Sequence, residues 1–326
     1  MMETTRGSVI ENAMRRSVVI FSALACLAAL CAAAVYFARP DLLASLSAKG
    51  DTPAAQNSAA AAKTLPDEDK AFYAELDAIA AKGRAAAVTA HIQKNTREKP
   101  RLLAVSLDWA RDNSVGQQDL QKLNGYYYML YSDLAFMASQ AFKISGMDAE
   151  YKDMVRTSFA SLLAFDLLAA TDALRCKDTS AREVRGHLVK PRYALLDDAF
   201  DYLAPEDTYR LFFTVSRAEN AMAGRPPNKE LCADGAIGKM ALLNDPGTRR
   251  VDVDSPDMPG VKRTVLVPAS DFKFTPEYVT DTEWQEARTR MRAAVHESWI
   301  QRQMNHNVRK SQSAPAPAAG TNGTTP

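Results

Sequence analysis

Histidine and glutamate residues near the C-terminal end of the chain could hold a metal ion. His296 and Glu297 begin a His-Glu-x-x-His pattern, in which two histidines one helical turn apart bind zinc. Ile300 occupies the position of the second histidine, so that ligand is missing. The other histidines are scattered along the sequence, at His91, His187 and His306. We therefore predict no metal site and no cofactor.

Two acidic groups could carry out other chemistry. Asp197, Asp198 and Asp201 fall within about one helical turn and could hold a cation, or could be ordinary solvated acids. Glu297-Ser298 resembles the Glu-Ser pair of helical periplasmic transglycosylases, whose glutamate is the general acid. The Gly-rich helix start and the Gly-Leu-Met-Gln run that follow this pair in that family are absent here. A cell-wall-acting hydrolase or an envelope carbohydrate-binding protein is therefore an alternative, not the leading prediction.

Cysteine usage predicts one disulfide. Cys26 and Cys31 fall in an apolar N-terminal run, which leaves Cys176 and Cys232 as an even pair in the rest of the chain. In an oxidising compartment such a pair is expected to bond. Neither cysteine belongs to a Cys-x-x-Cys motif, so the bond would be structural and not redox-active. Two unrelated buried thiols are the alternative.

Four tyrosines form the first predicted interaction surface: Tyr126, Tyr127, Tyr128 and Tyr131. They are spread around a predicted helix, so we expect that they cannot all face one core. Tyrosine is enriched in protein interfaces because its ring is large and its hydroxyl tolerates water. The alternative is that these side chains are divided between the core and crevices between helices.

The last predicted helix carries the second predicted surface, made of Arg288, Arg292, Trp299 and Arg302. A basic amphipathic helix can bind acidic partners or lipid headgroups, or can simply be solvated. Nucleic acid is disfavoured as a partner, because 40 basic and 39 acidic residues nearly balance over the chain. Such a balance creates no broad positive field.

The N-terminal run from 17 to 38 predicts a membrane anchor. It contains no charged residue, and as a helix it would be about 33 Å long, enough to cross a hydrocarbon core of about 30 Å. Arg15 and Arg16 precede it directly, and positive residues stay on the cytoplasmic side. The sequence therefore predicts a cytoplasmic tail at 1–16, one transmembrane signal-anchor helix, and a large C-terminal part outside.

Two alternatives to a retained anchor stay open. Ala32-Ala33-Ala34 offers a signal-peptide cleavage site, and Cys26 could carry a lipid. In a bacterium, which the Ala/Arg-rich usage suggests, the anchor would lie in the inner membrane. The C-terminal part would then lie in the periplasm.

The remaining residues predict a mainly α protein. An Ala/Ser-rich tether at 39–63 leads to a helical domain at 64–308, followed by a disordered Pro/Ala-rich tail at 309–326. Apolar residues at 3-and-4 spacing predict helices at 117–145 and from 147 to about 175, which would form an antiparallel hairpin in a bundle-like domain.

Local signals refine this domain further. Ser180-x-x-Glu183 and Thr280-x-x-Glu283 both match the capping box that begins a helix. The segment 245–271 contains Pro and Gly throughout its length, so we expect a long loop with one short strand at 261–267.

These features favour a non-enzymatic, membrane-anchored periplasmic protein that acts through protein–protein contacts. It would be an accessory or structural subunit of an envelope-spanning assembly of the secretion, conjugation or pilus type. A periplasmic chaperone or inhibitor is a further alternative. We expect other envelope proteins as partners.

Overall fold

The computed structural model describes residues 66–83, 85–254, 261–269 and 272–313. The predicted cytoplasmic tail, transmembrane helix and tether lie outside these residues, as do positions 314–326 of the predicted tail. The described part is mainly α-helical, as predicted, with one small β-sheet.

The helices follow one another along the chain, mostly with short connections; the longest connection contains the β-sheet, between the last two helices. The first group runs from α1 to α5: Asp67–Ala80, Ala85–Glu98, Leu102–Asp112, Gly125–Ile144 and Asp148–Ala173. The second group runs from α6 to α10: Ala181–Val189, Tyr193–Tyr202, Pro205–Ala221, Lys229–Ala233 and Ala236–Asn244, with a short 3-10 turn at Lys190–Arg192 before α7. The last helix, α11, spans Asp281–Ser313.

Helices α4 and α5 form the predicted antiparallel hairpin. The turn between them contains Gly146 at φ +70°, a backbone conformation that favours glycine. Ser132 and Ser158 cross-link the two helices, because each hydroxyl donates to the main-chain carbonyl of the other at 2.8 Å. Helix α4 begins at Gly125 and not at 117, because the Asn124 side chain caps it by accepting from the Tyr126 N–H.

Helix α5 is the central helix of the body. It contacts α4, α6, α7, α8, α9 and α11, and most of its side chains from Met154 onward are buried. Among the described residues it is the one helix whose length and composition would suit a membrane span. In its most apolar stretch, however, 78% of the residues are buried inside the body, as expected for a core helix.

Helix α11 begins with the predicted capping box. The Glu283 carboxylate accepts from the Thr280 N–H at 3.0 Å and from its hydroxyl at 2.8 Å, while the Thr280 hydroxyl accepts from the Glu283 N–H at 3.4 Å. The helix continues to Ser313 and therefore includes the first residues of the predicted tail. It lies across α5, α7 and α8.

The second predicted capping box does not form. Ser180 has helical backbone angles, and its side chain makes no cap hydrogen bond to the start of α6. The Ser180 hydroxyl instead donates to Asp178 at 2.6 Å and accepts from the N–H of Ala236 at 2.7 Å. The hydroxyl therefore connects two distant segments and does not cap its own helix.

The Pro-rich segment contains a β-hairpin where one strand was predicted. Strand β1 spans Arg249–Asp254 and pairs antiparallel with β2, Lys262–Val267, with Val251 opposite Val265. Pairing provides the hydrogen-bond partners that a single strand would lack. Among the described residues, β1 and β2 pair with no other strand.

Candidate interaction surface

The four predicted surface tyrosines are buried in the core. Tyr126, Tyr127, Tyr128 and Tyr131 are each less than a tenth exposed, so the predicted tyrosine surface is not present and the alternative, burial in the core and in crevices between helices, agrees with the structure. The reason is that α4 is enclosed on several sides, by α2 and α3 as well as by α5. These tyrosines form no surface for a partner in this conformation.

The hydroxyls of these tyrosines are neutral inside the body. Burial raises the pKa of Tyr127, Tyr128 and Tyr131 to about 12, so they stay protonated at any physiological pH. The Tyr126 hydroxyl lies 3.2 Å from a carboxylate oxygen of Asp234, close to α9. The ring of Tyr127 contacts the Trp109 ring edge-on at 5.0 Å.

The second predicted surface also faces largely inward. Arg288 and Trp299 are almost fully buried, whereas Arg292 and Arg302 keep about a quarter of their side-chain surface exposed. Trp299 donates its indole N–H to Asp166 at 2.9 Å, and Arg302 lies over the Tyr193 ring at 4.0 Å. These residues therefore hold α11 on the body and do not form a free basic face.

Glu219 is the centre of a buried charged cluster whose members come from distant segments of the chain. Its side chain is 1% exposed and accepts from Arg225 at 3.0 Å, from Arg288 at 3.0 Å and from Thr171 at 3.2 Å. Arg292 lies 3.0 Å from the same carboxylate. Buried charges require such partners, because desolvating an unpaired charge is costly.

Asp172 and Trp284 complete this cluster. The Asp172 carboxylate pairs with Arg225 at 2.8 Å; burial raises its pKa, while the charge of Arg225 acts in the opposite direction. Trp284 donates its indole N–H to the main-chain carbonyl of Thr171 at 2.8 Å, and the Arg175 guanidinium stacks 3.5 Å from its ring. The cluster thus joins α5, α8 and α11 in the core.

The contacts of this cluster are those of a buried structural ion-pair network, and its carboxylates are not accessible to a substrate. A general acid needs a raised pKa together with access to a substrate. Asp172 has the first property, but it is 3% exposed and its carboxylate is held by Arg225.

The predicted disulfide is present. Cys176 and Cys232 are bonded, and their Cα atoms lie 5.4 Å apart. The bond joins the end of α5 to α9, and the segment after β2 runs alongside it, since the Val279 N–H donates to the Arg175 carbonyl at 2.9 Å. Beside the bond lies a small cavity of about 160 Å³, whose lining includes Ile237, Phe274 and Pro276.

Helix α10 is fixed to the body next to this disulfide. Asp178 accepts from the Ile237 N–H at 2.8 Å, and the Ser180 hydroxyl accepts from the Ala236 N–H at 2.7 Å. Burial raises the pKa of Asp178, but the hydrogen bonds that its carboxylate accepts from Ser180 and from the Ile237 N–H together lower it below its ordinary value. At Gly235 an added Cβ would lie 2.4 Å from Asp178, so glycine permits the close approach.

The fixed helix exposes an apolar face. Ile237, Met240 and Leu243 are 58%, 55% and 44% exposed, although they are large apolar side chains on one short helix. We call these three residues the α10 face. The sequence signal for it is the apolar helix "AIGKMALLN", but an apolar composition does not show whether neighbouring elements cover such a helix.

The predicted metal and acidic candidates are dispersed. Within the described residues, no group of three or more His, Cys, Asp or Glu side chains could hold a metal. Asp197 pairs with Arg302 at 3.3 Å, and Asp201 pairs with Lys310 at 2.9 Å and with His306 at 3.1 Å. The Asp198 side chain lies outside the described part. These acids join α7 to α11.

His296 does not face a ligand site. Its ring lies 5.2 Å from Phe213, 5.8 Å from Phe212 and 6.3 Å from Trp299 between ring centroids. Burial lowers the pKa of His296, because the charged imidazolium is poorly solvated beside these rings.

No protein-family model, no curated protein and no solved structure matches this chain.

Proposed function

We propose that this protein is a membrane-anchored component of the bacterial cell envelope that acts through protein–protein contacts. In this proposal residues 17–38 anchor it in the inner membrane and the helical body lies in the periplasm. There it serves as an accessory or structural subunit of an envelope-spanning assembly of the secretion, conjugation or pilus type. The contact surface is the α10 face, in place of the buried tyrosines and arginines.

The observation that carries the proposal is the exposure of the α10 face on a helix that is held in place. Contiguous exposed apolar surface on a folded domain marks an interaction site, because leaving it in water costs free energy. The hydrogen bonds of Asp178 and Ser180 to the start of α10 hold the helix in a defined position. A contact surface held in this way binds with a smaller entropic cost than a mobile one.

The disulfide next to α10 supports the proposed compartment. Structural disulfides persist in oxidising environments such as the periplasm and are rare in the cytosol. Cys176–Cys232 also fixes α9, which directly precedes α10. The same bond would therefore stabilise both the body and its contact surface.

Site-specific photo-crosslinking in intact membranes tests the proposal. A photoreactive amino acid at Met240 should capture one defined envelope protein, which mass spectrometry identifies. Met137 on α4 is the matched control, since it is 49% exposed against 55% for Met240 but lies outside the α10 face. Equal capture from both positions, or no defined product from Met240, would count against the α10 face as the contact surface.

A further inference from the structure

One face of the β-hairpin carries four valines and is only partly covered. In the antiparallel register, Val251 and Val253 on β1 lie on the same side of the sheet as Val265 and Val267 on β2. Val251 is 37% exposed. A two-stranded hairpin of this kind is only marginally stable in water, and three or more strands with a shared apolar face are usually needed.

The two outer edges of the hairpin differ in charge. Strand β1 reads Arg-Arg-Val-Asp-Val-Asp, so it carries both signs, whereas β2 reads Lys-Arg-Thr-Val-Leu-Val and carries positive charge alone. Lysine on a strand edge opposes pairing with another chain, and a second copy of β2 would place only like charges near one another. The β1 edge is therefore the one suited to accept a further strand.

Strand β1 is complementary to an antiparallel copy of itself. In an antiparallel pair, residues that lie directly opposite each other point to the same side of the sheet. The two-fold axis that relates two copies of β1 must therefore pass through a pair of identical residues, because an axis between residue positions would place side chains of opposite sides against each other. An axis at Val251 places Val251 opposite its own copy and Arg250 opposite Asp252 of the second copy. By symmetry, this Arg–Asp pair forms twice. Both apolar faces then fall on one side of a four-stranded sheet.

We propose that two copies of this chain associate through the outer edge of β1, paired antiparallel about Val251. The partner is a second copy of this chain and not another envelope protein. The inference does not depend on the compartment or on the α10 face, because it rests on the register and charge pattern of the hairpin alone. Substitution M240E, which disrupts the α10 face, should leave this association unchanged.

Cysteine crosslinking of the full-length chain in membranes tests the pairing. In the proposed sheet the two Val251 Cα atoms lie about 4.5–5.5 Å apart, within the range that a disulfide spans. V251C should therefore yield a covalent dimer when the membranes are oxidised with copper-phenanthroline. V265C is the matched control, because three strand spacings would separate its two copies by about 14 Å. A parent chain without V251C, which retains Cys26 and Cys31, reports the background.

Charge reversal in two differently tagged V251C copies provides the decisive test. R250D alone and D252R alone each place like charges opposite one another, and each should reduce the dimer about fivefold. Co-expression of the R250D copy with the D252R copy places Asp opposite Arg at both positions and should restore a dimer between the two tags. A hairpin that had merely unfolded could not be rescued by a second copy. Failure of this rescue, or equal dimer from V251C and V265C, would overturn the proposal.

Discussion

Arg288 and Glu219 pair at two points in the core of the body. The Arg288 Nε atom lies 3.0 Å from Oε1 of Glu219, and its Nη2 atom lies 3.0 Å from Oε2. The two residues are 69 positions apart in sequence, on α11 and α8, and both are buried. Glu219 also binds Arg225, in the loop after α8. Its carboxylate therefore connects α11 both to α8 and to that loop.

Removing the charge of Glu219 should destabilise the body strongly. E219Q would leave the buried guanidinium of Arg288 without its counter-charge and Arg225 with Asp172 alone. We expect a loss of about 3–5 kcal/mol in the free energy of unfolding. Urea unfolding followed by far-UV circular dichroism measures it. The control E206Q changes an exposed glutamate on the same helix and should cost less than about 0.5 kcal/mol. Equal effects of E219Q and E206Q would refute a structural role for the cluster.

The disulfide should contribute much of the stability. It closes a loop with a sequence separation of 56 residues, and in the chain-entropy model this is worth about 4 kcal/mol. The double variant C176S/C232S should lose that amount in urea unfolding. Reductant should lower the stability of the wild type to the same level and leave the variant unchanged; a wild type insensitive to reductant would contradict the prediction.

Trp299 and Asp166 should be energetically coupled. The indole N–H of Trp299 donates to Asp166 at 2.9 Å in the interior, where Arg185 supplies the other partner at 2.7 Å. W299F keeps most of the ring but removes the donor, and we expect a cost of about 1–3 kcal/mol. A double-mutant cycle with D166N should give a coupling energy of about 1 kcal/mol. Strictly additive single effects would show that the hydrogen bond contributes nothing.

Stability should fall as the pH drops below neutrality, in part because of His296. Burial lowers the folded-state pKa of His296 below its ordinary value of 6.5, so the unfolded chain takes up the proton first. The contribution is therefore fully present above about pH 6.5 and is lost as the pH falls towards the folded-state pKa. H296L should flatten the dependence of unfolding free energy on pH between 7 and 5. An unchanged slope in H296L would assign the dependence to other groups.

Sequence pattern predicted the elements that depend on local periodicity. The structure confirms the α4–α5 hairpin, the capping box at Thr280 and the Cys176–Cys232 bond. These three features could be predicted because each follows from residue spacing or from the pairing of the available cysteines. The arginine cluster could not be predicted in full, since its members come from distant segments. One local signal existed: Arg288 lies one turn after Trp284 on the apolar stripe of α11, which placed its side chain towards the core.

The two predicted interaction surfaces are largely buried, and sequence pattern could not show this for a related reason. Periodicity shows which face of a helix is apolar, but not on how many sides neighbours enclose it. The tyrosines of α4 are spread around the helix and are nevertheless all buried, because helices on several sides cover them. Conversely, Ile237, Met240 and Leu243 of α10 are largely exposed, although their apolar spacing resembles that of a core helix.

A reporter fused after Pro326 tests the central claim most directly, since the proposed role requires the body to lie on the exported side of the membrane. A phosphatase that is active only in an oxidising compartment should be active in this fusion and should lose activity when residues 17–38 are deleted. A fusion that is inactive with the phosphatase but active with a reporter restricted to the cytosol would contradict the account.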